Sequence, residues 1–241
     1  MKNTAPEGFS IDPAAQALAA ADSASAIARR PLVVFDWDGT ILDTTAAISI
    51  SIRYACERMR LPVPSDRKAR SVIGLGWRDA MRIIAPACPP DEYAQFSAFY
   101  IERYRSEEER VHVFPGVEDV LERLRARGAM LAIATGKSRR GLDAALAQTG
   151  LGRLFVDTET ADENPSKPDP GMLEAVSLAT GFERSEMVMV GDTTHDLAMA
   201  NAFGCPGVGV TWGAMSEETL REASPAAICH DMTDLARALG V

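Results

Sequence analysis

The chain has 241 residues, 46% of them hydrophobic, enough apolar material for a real core in one large domain or one domain carrying a smaller insert. A formal net charge of -9 sets the protein as a whole against phosphate backbones and anionic membrane surfaces, so neither nucleic acid nor membrane is expected as a partner. Cys56, Cys88, Cys205 and Cys229 are far apart and form no CxxC pair, which speaks against a secreted disulfide scaffold and for a reducing, cytoplasmic location.

Residues 1–30 contain the Ala-rich run AAQALAAADSASAIA, which suggests a signal peptide but lacks its compact basic start and Leu-rich centre and is interrupted by Glu7, Asp12 and Asp22. They read as a leader, poorly ordered or with a short helix, and carry no chemistry. Short apolar runs then recur between helical patterns: Leu32 to Phe35, Met130 to Ala134, Leu154 to Val156, Met187 to Val190 and Gly207 to Val210. That alternation predicts an α/β fold with a parallel sheet covered by helices. Val117, Val120, Leu121 and Leu124 repeat at helical spacing and stop at Gly128; Leu142, Ala145 and Leu146 stop at Gly150. Met172, Leu173, Val176 and Leu178 line a third helix that ends near Gly181.

One segment breaks the rhythm. From about Thr45 to Arg110 no strand pattern appears, while Ile48, Ile52, Ala55 and Met59 mark one amphipathic helix and Tyr93, Phe96, Phe99, Tyr100 and Tyr104 another. Pro62, Pro64, Pro86, Pro89 and Pro90 punctuate it into about four helices. The expected organisation is a core formed by 31–44 and 114–241, with an all-helical insert over 45–113 and a hinge near Val113 to Gly116.

Four strand ends carry polar groups. Val33-Val34-Phe35 runs directly into Asp36-Trp37-Asp38-Gly39-Thr40, so Asp36 and Asp38 can face one site while Trp37 turns away. Two adjacent carboxylates call for a cation, an acid/base role, or both. Ala132-Ile133-Ala134 ends in Thr135-Gly136-Lys137-Ser138, where a hydroxyl and neighbouring backbone N–H groups can hold an anion. Ser166-Lys167-Pro168-Asp169-Pro170 stiffens the backbone around a lysine. Met187 to Val190 leads into Gly191-Asp192-Thr193-Thr194-His195-Asp196, with two carboxylates four apart and oxygen ligands suited to a hard ion. His195 reads as a neighbour of this cluster, not a ligand.

Taken together, DWDGTILD, ATGK, SKPDP and GDTTHD resemble the four motifs of the haloacid dehalogenase superfamily over about residues 31 to 212, and the helical insert after the first motif resembles its phosphoglycolate phosphatase-like group. The resemblance implies a Rossmann-like core with a helical cap, and a phosphatase that uses Mg2+ and a small phosphorylated metabolite, as a monomer or homodimer. Asp36 would be the nucleophile, forming an aspartyl-phosphate, and Asp38 the general acid and base. Asp36, the Asp38 backbone carbonyl and Asp192 would hold the metal, Asp196 would act behind them, and Thr135, Gly136 and Lys167 would bind the phosphoryl group. In the cap, Gly74-Leu75-Gly76-Trp77-Arg78 is the candidate substrate-reading loop, through Trp77 and Arg78, with Arg53 a lesser candidate. The competing readings are a phosphomutase of the β-phosphoglucomutase type and a non-catalytic binding protein with the same fold.

Overall fold

The computed structural model describes residues 27–107 and 110–241. The leader expected over 1–30 lies outside these residues up to position 26; Ile27, just beyond, is buried in the core.

Six parallel strands form one sheet in the order β3-β2-β1-β4-β5-β6. They are β1 (Leu32–Phe35), β2 (Met130–Thr135), β3 (Asp157–Thr160), β4 (Met187–Gly191), β5 (Gly207–Val210) and β6 (Ala227–Cys229). β1 is central and buried on both faces, which is why it reads as a continuous apolar run, not an alternating one. Successive residues serve opposite layers. Val33, Phe35, Leu131, Ile133, Val188 and Val190 join one apolar cluster, while Leu32, Val34, Ala132, Ala134, Met187 and Met189 join the other. A fully buried Val, Leu or Phe contributes about 1.5–3 kcal/mol, so the two layers are the main stabilisation of the core.

Helices in chain order are α1 (Thr45–Arg58), α2 (Asp66–Arg70), α3 (Trp77–Ile84), α4 (Tyr93–Ser106), α5 (Val117–Ala126), α6 (Arg139–Thr149), α7 (Gly171–Thr180), α8 (Thr194–Phe203), α9 (Glu217–Arg221) and α10 (Met232–Leu239). α5, α6 and α10 supply the first layer and α7 and α8 the second. α1 to α4 surround a separate apolar cluster that includes Ile52, Cys56, Met81 and Phe96. The chain enters and leaves this helical stretch side by side: Asp43 N–H donates to His112 O at 2.9 Å and Phe114 N–H to Ile41 O at 3.0 Å.

Three details depart from the sequence expectation. The third strand is Asp157–Thr160, not Leu154 to Val156; Leu154 closes a 3-10 turn and Val156 is 53% exposed. An edge strand is defined by its backbone pairing to β2, so its polar DTET side chains give no apolar signal. Leu178 is 88% exposed, because it lies two residues, about 200°, around the helix from the buried Val176. β6 is three residues long, too short to show a periodicity.

The sheet register sets the place of the chemistry. Phe35 pairs with Ile133 on one side and with Val190 on the other. The residues after β1, β2 and β4 therefore emerge at one edge, where the chain's path through the sheet reverses around β1, the usual ligand crevice of an open α/β fold.

Candidate active site

Asp36 follows β1 directly, and its backbone N–H still donates to Val190 O at 2.9 Å, which locks it beside β4. Beyond it Gly39 turns with φ 86°, and a Cβ there would come within 2.2 Å of Asp192 Oδ2, so the backbone approach requires glycine. Trp37 leaves the site, fully buried against Phe155 with ring centroids 6.4 Å apart.

Asp192 follows Gly191 at the end of β4, and Thr193 caps α8. Asp192 Oδ1 accepts from Thr40 Oγ1 at 3.2 Å and Oδ2 from the Ala214 N–H at 2.6 Å. A Cβ on Gly213 would also sit 2.2 Å from Asp192 Oδ2, so Asp192 is held between two glycine-containing loops. Lys167 reaches in from the loop before α7. Its Nζ donates to Asp36 Oδ1 at 2.7 Å and to Asp196 Oδ1 at 2.6 Å, with all three side chains fully buried. The other oxygen of Asp196 accepts from the Thr193 N–H at 3.1 Å and Oγ1 at 2.6 Å, a capping box that leaves this carboxylate oriented towards Lys167.

On the other side of β1, Thr135 ends β2 and is buried; its Oγ1 accepts from the Lys137 N–H at 3.2 Å. Ser138 caps α6 by accepting from the Gly141 N–H. Gly136 touches the helical insert: a Cβ at this position would lie 2.4 Å from Gly74 O. Ser166 adds a second tie, its Oγ accepting from the Gly76 N–H at 2.7 Å, and His195 Nε2 meets Ser71 O at 2.9 Å. Lys137 was not assigned a role in the sequence. Its Nζ donates to Asp38 Oδ1 at 2.8 Å and Oδ2 at 2.9 Å and lies 5.5 Å from the centre of the Tyr104 ring.

The electrostatics follow from crowding in a dry site. Burial first, and then the neighbouring Asp196 and Asp38 charges, push the Asp36 carboxyl up to about 7 even though Lys167 pulls the other way. Burial and the charges of Asp36 and Asp196 hold Asp192 well above the usual carboxylate range. Burial opposes the Lys167 ammonium, but Asp196 and Asp36 outweigh it and raise its pKa; Asp38 does the same for Lys137. Asp36, Asp192 and Asp196 each offer an oxygen within 4.8 Å of the others, and Asp36 Oδ2 is buried with no hydrogen-bond partner among the described residues. Such an oxygen-only set, short of positive charge, fits a hard divalent cation.

A cleft of about 500 Å³ opens between these strand ends and the helical insert, lined by Asp38, Gly136 and Lys137 on one side and Gly74, Leu75 and Trp77 on the other. Trp77 packs edge-on against Phe96 and Tyr100, with centroids 5.7 and 5.6 Å apart. Arg78 does not join it in the cleft wall. It is exposed, because the next residue of α3 is turned about 100° from the inward-facing Trp77. Arg53 donates to Pro64 O at 3.2 Å within the insert. Of the residues the sequence marks, Asp36, Lys167, Asp192 and Asp196 come together, while Asp38 is held by Lys137 at the cleft wall with Gly136, and Thr135 is bonded to the Lys137 N–H; Thr40, Lys137 and the Gly213-Ala214 loop were missed. Lys137 stood inside a quoted motif; the loop after β5 carried no signal except its place beyond a strand adjacent to β4.

Comparison with known proteins agrees with this geometry. A family model of haloacid dehalogenase-like hydrolases matches residues 33–210. The chain belongs to that family, and stands with its phosphoglycolate phosphatase-like group of phosphoric monoester hydrolases. It is 34% identical over 213 residues to the probable phosphatase IndB of Dickeya dadantii, covering 86% of this chain and 92% of the relative. It is 28% identical over 232 residues to the phosphoglycolate phosphatase of Escherichia coli K12, covering 87% and 92%. Among solved structures, a predicted phosphoglycolate phosphatase from Haemophilus somnus superposes with a TM-score of 0.73 at 25% identity, covering 86% of this chain and 96% of the other.

Proposed function

We propose that the chain hydrolyses a small-molecule phosphomonoester in a Mg2+-dependent reaction through an aspartyl-phosphate on Asp36. The observation that carries this reading is the buried contact of the Asp36 carboxylate with Lys167, beside Asp192 and two residues before Asp38. Asp36, the Asp38 carbonyl and Asp192 would hold the ion, whose chemistry is to offset carboxylate and phosphoryl charge.

An Asp36 oxygen attacks phosphorus, the bond from phosphorus to the alcohol oxygen breaks, and Asp38 in its acid form gives that oxygen its proton. Asp38, now a carboxylate, takes a proton from water as the water oxygen attacks phosphorus. The bond from phosphorus to Asp36 breaks, releasing inorganic phosphate, and Asp38 is again an acid. Lys137 positions Asp38 through its two hydrogen bonds. Lys167, Thr135 and the backbone at Gly136 stabilise the phosphoryl oxygens, and Asp196 orients Lys167.

The helices α1 to α4 act as a cap over the strand ends, an assignment supported by their separate apolar cluster and by the contacts of Gly74 and Gly76 with Gly136 and Ser166. Four buried, unpaired cysteines suit a cytoplasmic setting. Phosphate release from a panel of phosphorylated metabolites, measured with Mg2+, with chelator, and with Asp36→Asn, tests the reading. Equal release by wild type and Asp36→Asn would reject it.

A further inference from the structure

We infer that the substrate carries a large apolar alcohol, aromatic or long-chain, as its leaving group. This rests on the phosphatase reading and names the substrate class for it.

The cleft meets the catalytic centre at Asp38, Gly136 and Lys137, whereas Asp36, Lys167 and Asp192 are not in its wall. In the reaction above Asp38 protonates the departing oxygen, so this space lies on the leaving-group side of the phosphorus. Its size, about 500 Å³, is that of a pocket for an extended organic molecule. A two-carbon acid fills the volume of only a few waters, each about 30 Å³, and would leave most of the wall wet.

That wall is mostly apolar and arises from both sides: Ile48 and Ile52 of α1, Trp77 of α3, Tyr100 and Tyr104 of α4, and Ala145 of α6 all line it. Trp77 is locked edge-on to Tyr100, and Tyr100 stacks on Tyr104 at 5.9 Å. Such rings form a rigid surface for a flat or extended apolar group, with little ordering cost on binding. Arg105, Arg140 and Lys137 also line the cleft, against a single acid among the described residues, Asp38. In a chain of net charge -9, the cleft therefore has a local positive excess that admits a phosphate dianion with its apolar tail.

The test is a series of primary-alcohol phosphates, in which the leaving-group basicity stays nearly constant while apolar size grows: ethyl, butyl, hexyl and 2-phenylethyl phosphate, alongside phosphoglycolate. kcat/KM should rise about fourfold per methylene buried, so that hexyl or 2-phenylethyl phosphate exceeds ethyl phosphate at least tenfold. Two variants reduce the space from opposite walls, Ser97→Phe on α4 and Ala144→Phe on α6, the second at an exposed position where folding is least at risk. In either, the ratio of 2-phenylethyl to ethyl phosphate should fall several-fold.

Calorimetric titration with the non-hydrolysable ethyl- and 3-phenylpropylphosphonates reads binding apart from turnover. Tighter binding of the apolar phosphonate by tenfold or more supports an apolar group seated in the cleft independently of turnover, whereas absence of hydrolysis for every ester would reject the phosphatase reading and with it the leaving-group assignment. Hydrolysis of phosphoglycolate and ethyl phosphate as efficiently as the apolar esters, with equal phosphonate affinities, would overturn the inference and leave the phosphatase reading standing.

Discussion

Replacing Asp36 by asparagine should make the protein more stable while abolishing its activity, and the gain should depend on pH. The unfolded chain gives up the Asp36 proton near 3.8, whereas the folded chain holds it to about 7. Between those values the folded state binds the extra proton, so the stability of metal-free protein falls as pH rises through this window. Once Asp36 is fully ionised the cost is about 4 kcal/mol. The amide of the Asp36→Asn variant does not ionise, and its oxygen can still accept from Lys167, which retains Asp196 as a counter-charge. At pH 8 in chelator, the variant should therefore melt higher than wild type by on the order of 10 °C, since about 1 kcal/mol moves the midpoint of a chain this size by about 2–4 °C. At pH 4.5, just above the unfolded-state value, the gap should shrink to about a quarter of that. Mg2+ should raise the wild-type midpoint at pH 8 and affect the variant less, because binding to the native state alone stabilises it. Thermal melts followed by circular dichroism across pH 4.5–8 read all three effects. A metal-free Asp36→Asn that melts at or below wild type at pH 8, or a gap that does not change with pH, would refute the crowding argument.

Further expectations test the other contacts. Asp38→Asn removes the proton donor and should lower kcat by about 10²–10⁴-fold for alkyl phosphates but much less for aryl phosphates, whose leaving oxygen needs little protonation; equal losses for both would count against the acid role. Lys167→Met strips the buried partner from Asp36 and Asp196 and should cost about 3–5 kcal/mol in denaturant unfolding, as well as activity. Gly136→Ala places a methyl 2.4 Å from Gly74 O and should force the insert loop off the strand ends. Its kcat/KM should drop more than tenfold with little change in the melting of the core, and hydrogen exchange at Gly74 to Gly76 should quicken. An unchanged rate would argue that the insert does not need to seat on Gly136.

Much of the core could be read from local pattern. Strands buried on both faces, such as Leu32–Phe35, must be apolar throughout, and a polar residue at the end of such a run is conspicuous; Asp36, Asp192 and Thr135 stood out for that reason. Helix stops at Gly150 and Gly181 were equally visible, because both adopt the left-handed conformation that glycine tolerates. What the linear order could not carry was the set of contacts between segments distant along it. The bond of Lys167 to Asp36, the Lys137 clasp on Asp38 and the glycine cradle around Asp192 exist because strand register brings residues from 36 to 213 within a few ångströms, and no local spacing encodes that. Orientation behaved in the same way: Trp77 and Arg78 are neighbours in the chain, yet helix geometry sends one into the cleft and the other to solvent. Residue types at strand ends are a property of the sequence, because burial selects them one position at a time. The distances, charges and empty volume that turn them into a site come from packing, which depends on every element at once.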